Sequence, residues 1–232
     1  MSARRTSFPI SPDGMLRITA RSGKVEVVGE VRTDVLVDKG EAALTNDEGV
    51  VTVESDSDAI AVRCPEGLSV LIGSDSGRVR LRGRLGRCRV TTGSGNIEVD
   101  ATSDIDARTD SGNITVAESS GSCRCQAGSG QLTVGGAREA DLVTGSGNVT
   151  ARVLTGARVR AGSGTVTVDV DDVADIDVEV HSGNARVMVP RDARPALDLE
   201  ARSGKVHSSL TAGADGRVRV RAGSGNITVE SR

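Results

Sequence analysis

Two alternating apolar and polar runs, joined by a Ser-Gly step, recur along most of the chain. Ser22, Ser76, Ser94, Ser111, Ser129, Ser146, Ser163, Ser182, Ser203 and Ser224 each precede Gly, and from Ser76 onward the intervals are 18, 17, 18, 17, 17, 19, 21 and 21 residues. Counting each Ser as position zero, position minus 6 is apolar in every copy, from Leu16 and Val70 to Leu197 and Val218. So is position minus 4, from Ile18 and Ile72 to Leu199 and Val220. Position plus 3 is apolar throughout, and position plus 5 in every copy except at Ser208. An apolar residue at every second place is the signature of a strand with one buried face. Each repeat therefore predicts two strands meeting at the Ser-Gly corner.

Continuing the alternation puts Ser at position zero on the inward face, with Gly supplying the conformation that lets the chain turn by one extra residue. The predicted corner comprises Ser94 and Gly95, Ser111 and Gly112, Ser129 and Gly130, Ser146 and Gly147, and Ser163 and Gly164. Asn96, Asn113, Asn148, Asn184 and Asn226 follow the glycines, where Asn tolerates tight turns and can form a ladder. The 54-residue gap between Ser22 and Ser76 is less regular; Glu48 and Gly49, followed by VVTV, read as a corner in the same phase.

Strands this short bury a face only by stacking on neighbours. The predicted fold is all-β, a single-stranded parallel β-solenoid of about ten or eleven coils, right-handed by the general chirality of parallel connections. Regular coils take 17 to 21 residues. Residues 1–13 read as an arm or cap, 14–75 as irregular coils and 76–232 as regular coils of the same solenoid. Outward position minus 5 reads Arg89, Asp106, Arg124, Asp141, Arg158 and Asp177, alternating in sign as a stack of rungs requires.

The stretches GKVEVVGEVRTDVLV, AVRCPEGLSVLIGSDSGRVRLRG and TTGSGNIEV resemble the putative adhesin domain, a bacterial β-strand-repeat family of unknown function. The resemblance runs from about Gly14 to Arg232. It implies a β-solenoid with a non-catalytic role, in some relatives linked to envelope stress, and brings no catalytic residues.

Composition narrows the chemistry. One Phe, no Tyr and no Trp among 232 residues leave no aromatic platform for sugar rings or nucleic-acid bases. A net charge of −3 gives no overall attraction to phosphate backbones, so nucleic acid is not an expected partner. The start, MSARRTSFPISPDG, lacks the apolar core of a secretory signal, and no run approaches the ~18 apolar residues of a membrane span. The expectation is a cytoplasmic protein, with envelope association possible through a partner.

Candidate sites are few. Cys88, Cys123 and Cys125 fall on inward columns, and with Cys64 they read as small core residues rather than metal ligands or disulfides. His181 and His207 lie on different sides of a corner and form no acid–base pair. Asp171, Asp172, Asp175 and Asp177 read as a solvated loop. Thr115, Thr133, Thr150 and Thr167 form one outward column, short of the double array of ice-binding solenoids. No catalytic, cofactor-binding or metal residues are expected, and no cofactor.

Arg78, Arg80, Arg82, Arg84, Arg87 and Arg89 form the densest charge feature, a candidate patch for an anionic polymer or a protein partner. At the N-terminal side, Phe8, Pro9, Ile10 and Pro12 are placed to plug the first coil. The repeat VRVRAGSGNITVESR has no such plug, so Val218, Val220, Ile227 and Val229 are expected to face water and to drive an end-to-end homodimer, or a filament if the other end is also open. The function expected is a non-catalytic scaffold or interaction module, with a polymer- or polysaccharide-binding solenoid as the alternative.

Overall fold

A computed structural model describes residues 6–40, 42–56 and 59–232. Residues 1–5 of the expected N-terminal arm lie outside the described residues. The chain forms two compact units, Met1–Ser120 and Gly121–Arg232. The described residues form twenty strands and no helix, in an all-β solenoid whose coils stack in parallel.

The first unit holds β1 (Thr6–Pro9), β2 (Met15–Ala20), β3 (Val25–Glu30), β4 (Asp34–Lys39), β5 (Ala43–Asp47), β6 (Val50–Ser55), β7 (Ile60–Pro65), β8 (Ser69–Ser76), β9 (Val79–Ser94) and β10 (Ile97–Ser111). The second begins within β11 (Ile114–Ser129) and holds β12 (Leu132–Ser146), β13 (Val149–Ser163), β14 (Val166–Val170), β15 (Asp175–Ser182), β16 (Ala185–Val189), β17 (Ala196–Ser203), β18 (Val206–Ser208), β19 (Arg217–Ser224) and β20 (Ile227–Ser231). Strands of regular coils pair in parallel with equivalent positions aligned, Ile105 on Cys88 and Ala107 on Val90, for example. Within each unit the register buries the minus 6 and minus 4 residues of these coils in an apolar interior, Leu197 and Leu199 excepted.

The corner differs from the expected parity. The inward face ends at position minus 2, where Thr92, Thr109 and Thr144 are buried, and Ser94, Ser111, Ser129, Ser146 and Ser163 are exposed. Backbone contact is the cause. Gly77, Gly95, Gly130 and Gly147 each donate their N–H to the carbonyl of the Ser one rung away, at 2.9 to 3.0 Å. A Cβ on Gly147 would overlap the Gly130 carbonyl oxygen, and one on Gly164 that of Gly147. Glycine backbones pack directly on one another and close the corner, which leaves no interior volume for the serine side chain. The asparagines do form ladders: Asn96 Oδ1 accepts from the Asn113 N–H at 2.9 Å, and Asn148 Oδ1 from the Thr165 N–H at 2.9 Å.

Glu48 and Gly49 are not a corner. They are the two-residue turn of the antiparallel hairpin β5–β6, with φ of +46° and +84°, a pair of left-handed residues that suits the twist of a tight hairpin. This shifts VVTV to the other side of the coil, where Val51 pairs with Leu16 and Val53 with Ile18.

Coil order in space departs from chain order in both units. Coil β2–β3 lies between β6–β7 and β8–β9, because β2 pairs with both β6 and β8, and β3 with both β7 and β9. In the second unit β15 pairs with β19 and β16 with β20, while β17 and β18 take the far side of β19 and β20. After Val189 the chain skips a rung, builds β17–β18, and returns through residues 209–216 to fill the gap. The crossing is pinned by Asp215 N–H to Arg194 O at 3.0 Å, Gly213 N–H to Pro195 O at 3.1 Å and Arg194 N–H to the Asp215 carboxylate at 2.9 Å.

Candidate docking edge

The swap decides which coil is exposed. Val218, Val220, Ile227 and Val229, expected to face water, are 0% exposed, because β17–β18 covers them on one side and β15–β16 on the other. The open rung is β17–β18. Its inward Leu197, Leu199 and Ala201 are only half-buried, and Val206 is 46% exposed. Each of its two strands has a ladder partner on one side alone among the described pairings.

Charge follows the same spatial order. At position minus 5, Asp177 lies beside Arg219 and Arg219 beside Asp198, with Arg219 Nε 2.9 Å from the Asp198 carboxylate. At position minus 3, Glu179, Arg221 and Glu200 alternate likewise, with Arg221 to Glu200 at 3.8 Å. Inner rungs of the ladder are paired too: Arg89–Asp106 and Arg124–Asp141 at 3.4 Å, and Arg158–Asp177 at 3.9 Å. Asp198 and Glu200 have such neighbours on the β19 side, and their other side is the open edge.

The equivalent rung of the first unit is covered. Strand β5 pairs antiparallel with β6, β4 antiparallel with β7, and β1 antiparallel with β4, with Phe8 opposite Val35. Phe8 and Pro9 thus belong to the outermost strand of that cover rather than to a plug inside the coil. Val35 and Val37 are buried against it.

The other candidates are accounted for by pairing or packing. Of the arginine run, Arg78 and Arg80 face Glu98, Arg82 reaches Glu26 at 3.1 Å and Arg89 reaches Asp106 at 3.4 Å; Arg84 and Arg87 are exposed on the same stretch. The Lys24 ammonium, 2.8 Å from Glu26, together with Arg82 and Arg80, holds the Glu26 carboxyl below its ordinary range. Asp171 accepts from Arg232 at 2.7 Å and from Arg152 at 3.1 Å, and these two guanidiniums, Arg232 first, lower its carboxyl. Arginines thus pair with two of the four aspartates, Asp171 and Asp177, while Asp172 and Asp175 are exposed. Thr133, Thr150 and Thr167 stack in register, and Arg186 ends the run. His181 and His207 are both exposed.

All four cysteines are buried and free. Burial pushes the Cys64 thiol up to about 12 and Cys88 to about 11, so both are neutral and unreactive near pH 7. Cys123 and Cys125 sit with sulfurs 3.7 Å apart in the core. No group of three or more His, Cys, Asp or Glu among the described residues is placed to hold a metal ion. No helix of the described residues is long and apolar enough to cross a membrane.

The family described as Toastrack DUF4097 matches residues 17–230. Three solved structures are similar along their length: a putative adhesin from Bacteroides fragilis (12% identity, 98% of this chain and 96% of that one, TM-score 0.47), one from Parabacteroides merdae (10%, 98% and 95%, 0.29) and a putative cell adhesion protein from Clostridium sporogenes (12%, 99% and 99%, 0.23). No curated protein matches.

Proposed function

The chain belongs to the Toastrack DUF4097 family, and from that premise we propose that it is a non-catalytic interaction scaffold that works by completing its open coil with a strand from outside. The observation that carries this reading is the contrast between two neighbouring rungs: among the described residues β17–β18 pairs on one side only, while the inward valines and isoleucine of β19–β20 beside it are buried. An exposed strand edge over half-buried apolar residues is a template for strand addition. Among the described residues no group of three or more His, Cys, Asp or Glu is placed to hold a metal ion. The Cys64 and Cys88 thiols are buried and neutral, which suits a scaffold. The arginine run supports polymer binding less well, since four of its six guanidiniums already face carboxylates.

A second copy is one candidate for the added strand, and a two-fold dimer through β17–β18 would close without forming a filament. Light scattering over a range of concentrations, with amide hydrogen exchange on the same samples, tests the scaffold reading. A monomer whose β17–β18 amides exchange quickly leaves the edge free for another protein. An oligomer with those amides protected means that copies fill it. A monomer with β17–β18 as protected as β19–β20 overturns the reading.

A further inference from the structure

The outward columns of the open rung identify the chemistry of the strand it accepts, an inference that rests on the open-coil reading. Within the second unit each charged rung is followed by one of opposite sign: Arg158, Asp177, Arg219 and Asp198 in one column, and Arg160, Glu179, Arg221 and Glu200 in the other. The ladder stops on acid in both columns. The inward positions beside them, Leu197, Leu199 and Ala201, are apolar and half-buried. We propose that the edge of β17–β18 binds a partner-protein strand with alternating apolar and basic residues, the apolar set continuing the core and two Arg or Lys side chains facing Asp198 and Glu200.

The molecule contains a template for that strand. Arg217–Ala222, with the sequence RVRVRA, occupies the other side of β17 and places Arg219 on Asp198 and Arg221 on Glu200. A second copy fits less well. Two β17 strands paired antiparallel about Leu199 would set Asp198 of each against Glu200 of the other, and like charges directly opposite are destabilising. Two β17 strands paired in parallel and in register would set Asp198 on Asp198. The acidic end of the ladder thus favours a foreign basic strand over self-pairing.

The test uses the full chain and two fluorescent peptides, RVRVRAGSGNITVESR and its counterpart with the first three arginines replaced by glutamate. The basic peptide should bind saturably and the acidic one about tenfold or more weaker, since two to three cross-strand pairs are reversed. Hydrogen exchange of the complex should show new protection at β17–β18. Asp198→Asn with Glu200→Gln should narrow the gap between the peptides, and the circular dichroism of that variant checks folding. Equal binding of both peptides overturns the charge rule but leaves the open edge standing. No binding with fast-exchanging β17–β18 amides overturns the strand proposal alone. No binding with those amides already protected in a monomer removes the open-coil reading as well, and protection in an oligomer makes the occupant a second copy.

Discussion

Coil β6–β7 in the first unit and coil β17–β18 in the second hold matching places: each lies beyond a coil inserted out of chain order, β2–β3 in one case and β19–β20 in the other. Their inward residues are similar in kind, yet Val51, Val53, Val62 and Cys64 are 0% exposed while Leu197 and Leu199 are half-buried and Val206 is 46% exposed. The difference is a second neighbour. Antiparallel β5 and β4 cover the first coil, and the reversed strand direction with Pro9 at the outside ends the parallel stack there. Burial in this fold is therefore set rung by rung: an apolar side chain is dry only when both adjacent rungs are present, whatever its own strand propensity.

The largest effect expected on this contrast comes from Gly225→Ala. Gly225 has φ +134°, and a Cβ there would overlap the Gly183 carbonyl, on the rung that seats β17–β18. A loss of about 4 kcal/mol is expected in urea unfolding. Gly67→Ala, at φ +75° with open space around it, should cost about 1 kcal/mol. Similar losses for the two would show that backbone packing does not hold the corner.

Truncating an inward leucine in each kind of rung comes next. Leu16→Ala, in a coil with both neighbours, should cost about 3 kcal/mol, and Leu199→Ala about 1 kcal/mol. Equal costs would mean that β17–β18 is covered in solution. The covered coil also has a pH signature. The Cys64 thiol is pushed from 9.0 up to about 12 by burial, so its contribution to stability is complete below pH 9 and is lost as pH rises from there toward 12. The urea midpoint should fall above pH 9, and Cys64→Val should flatten that fall; an unchanged slope would place the thiol in contact with water.

The smallest effect bears on coil order. A double-mutant cycle on Asp177 and Arg219 should return a coupling of about 0.5 kcal/mol that weakens with salt. If the coils stacked in chain order these residues would be two rungs apart, and the coupling would vanish.

Much of this was legible in the residues. Period-two alternation on both sides of each Ser-Gly step specified strands, corner and parallel stacking, because a one-residue slip would have turned the whole apolar set outward. The corner serines face outward because glycine backbones packed close at the turn interrupt the alternation that runs up to it. Coil order is written in the charges rather than in the alternation: Asp177, Asp198 and Arg219, and Glu179, Glu200 and Arg221, put acid beside acid in chain order and alternate only when the last coil is moved inward. The hairpin at Glu48–Gly49 was likewise written in the alternating runs on either side of a two-residue turn. Exposure of the open edge was not legible, since it depends on which rung lacks a neighbour rather than on any residue within it.

The inserted coil also carries the charge match between the rungs on either side of it. Without β19, direct contact of β17 with β15 in the same register would set Asp198 against Asp177 and Glu200 against Glu179. That arrangement would be repulsive where the inserted coil makes it attractive. In the folded chain Arg219 and Arg221 lie between the two acidic rungs and remove that repulsion.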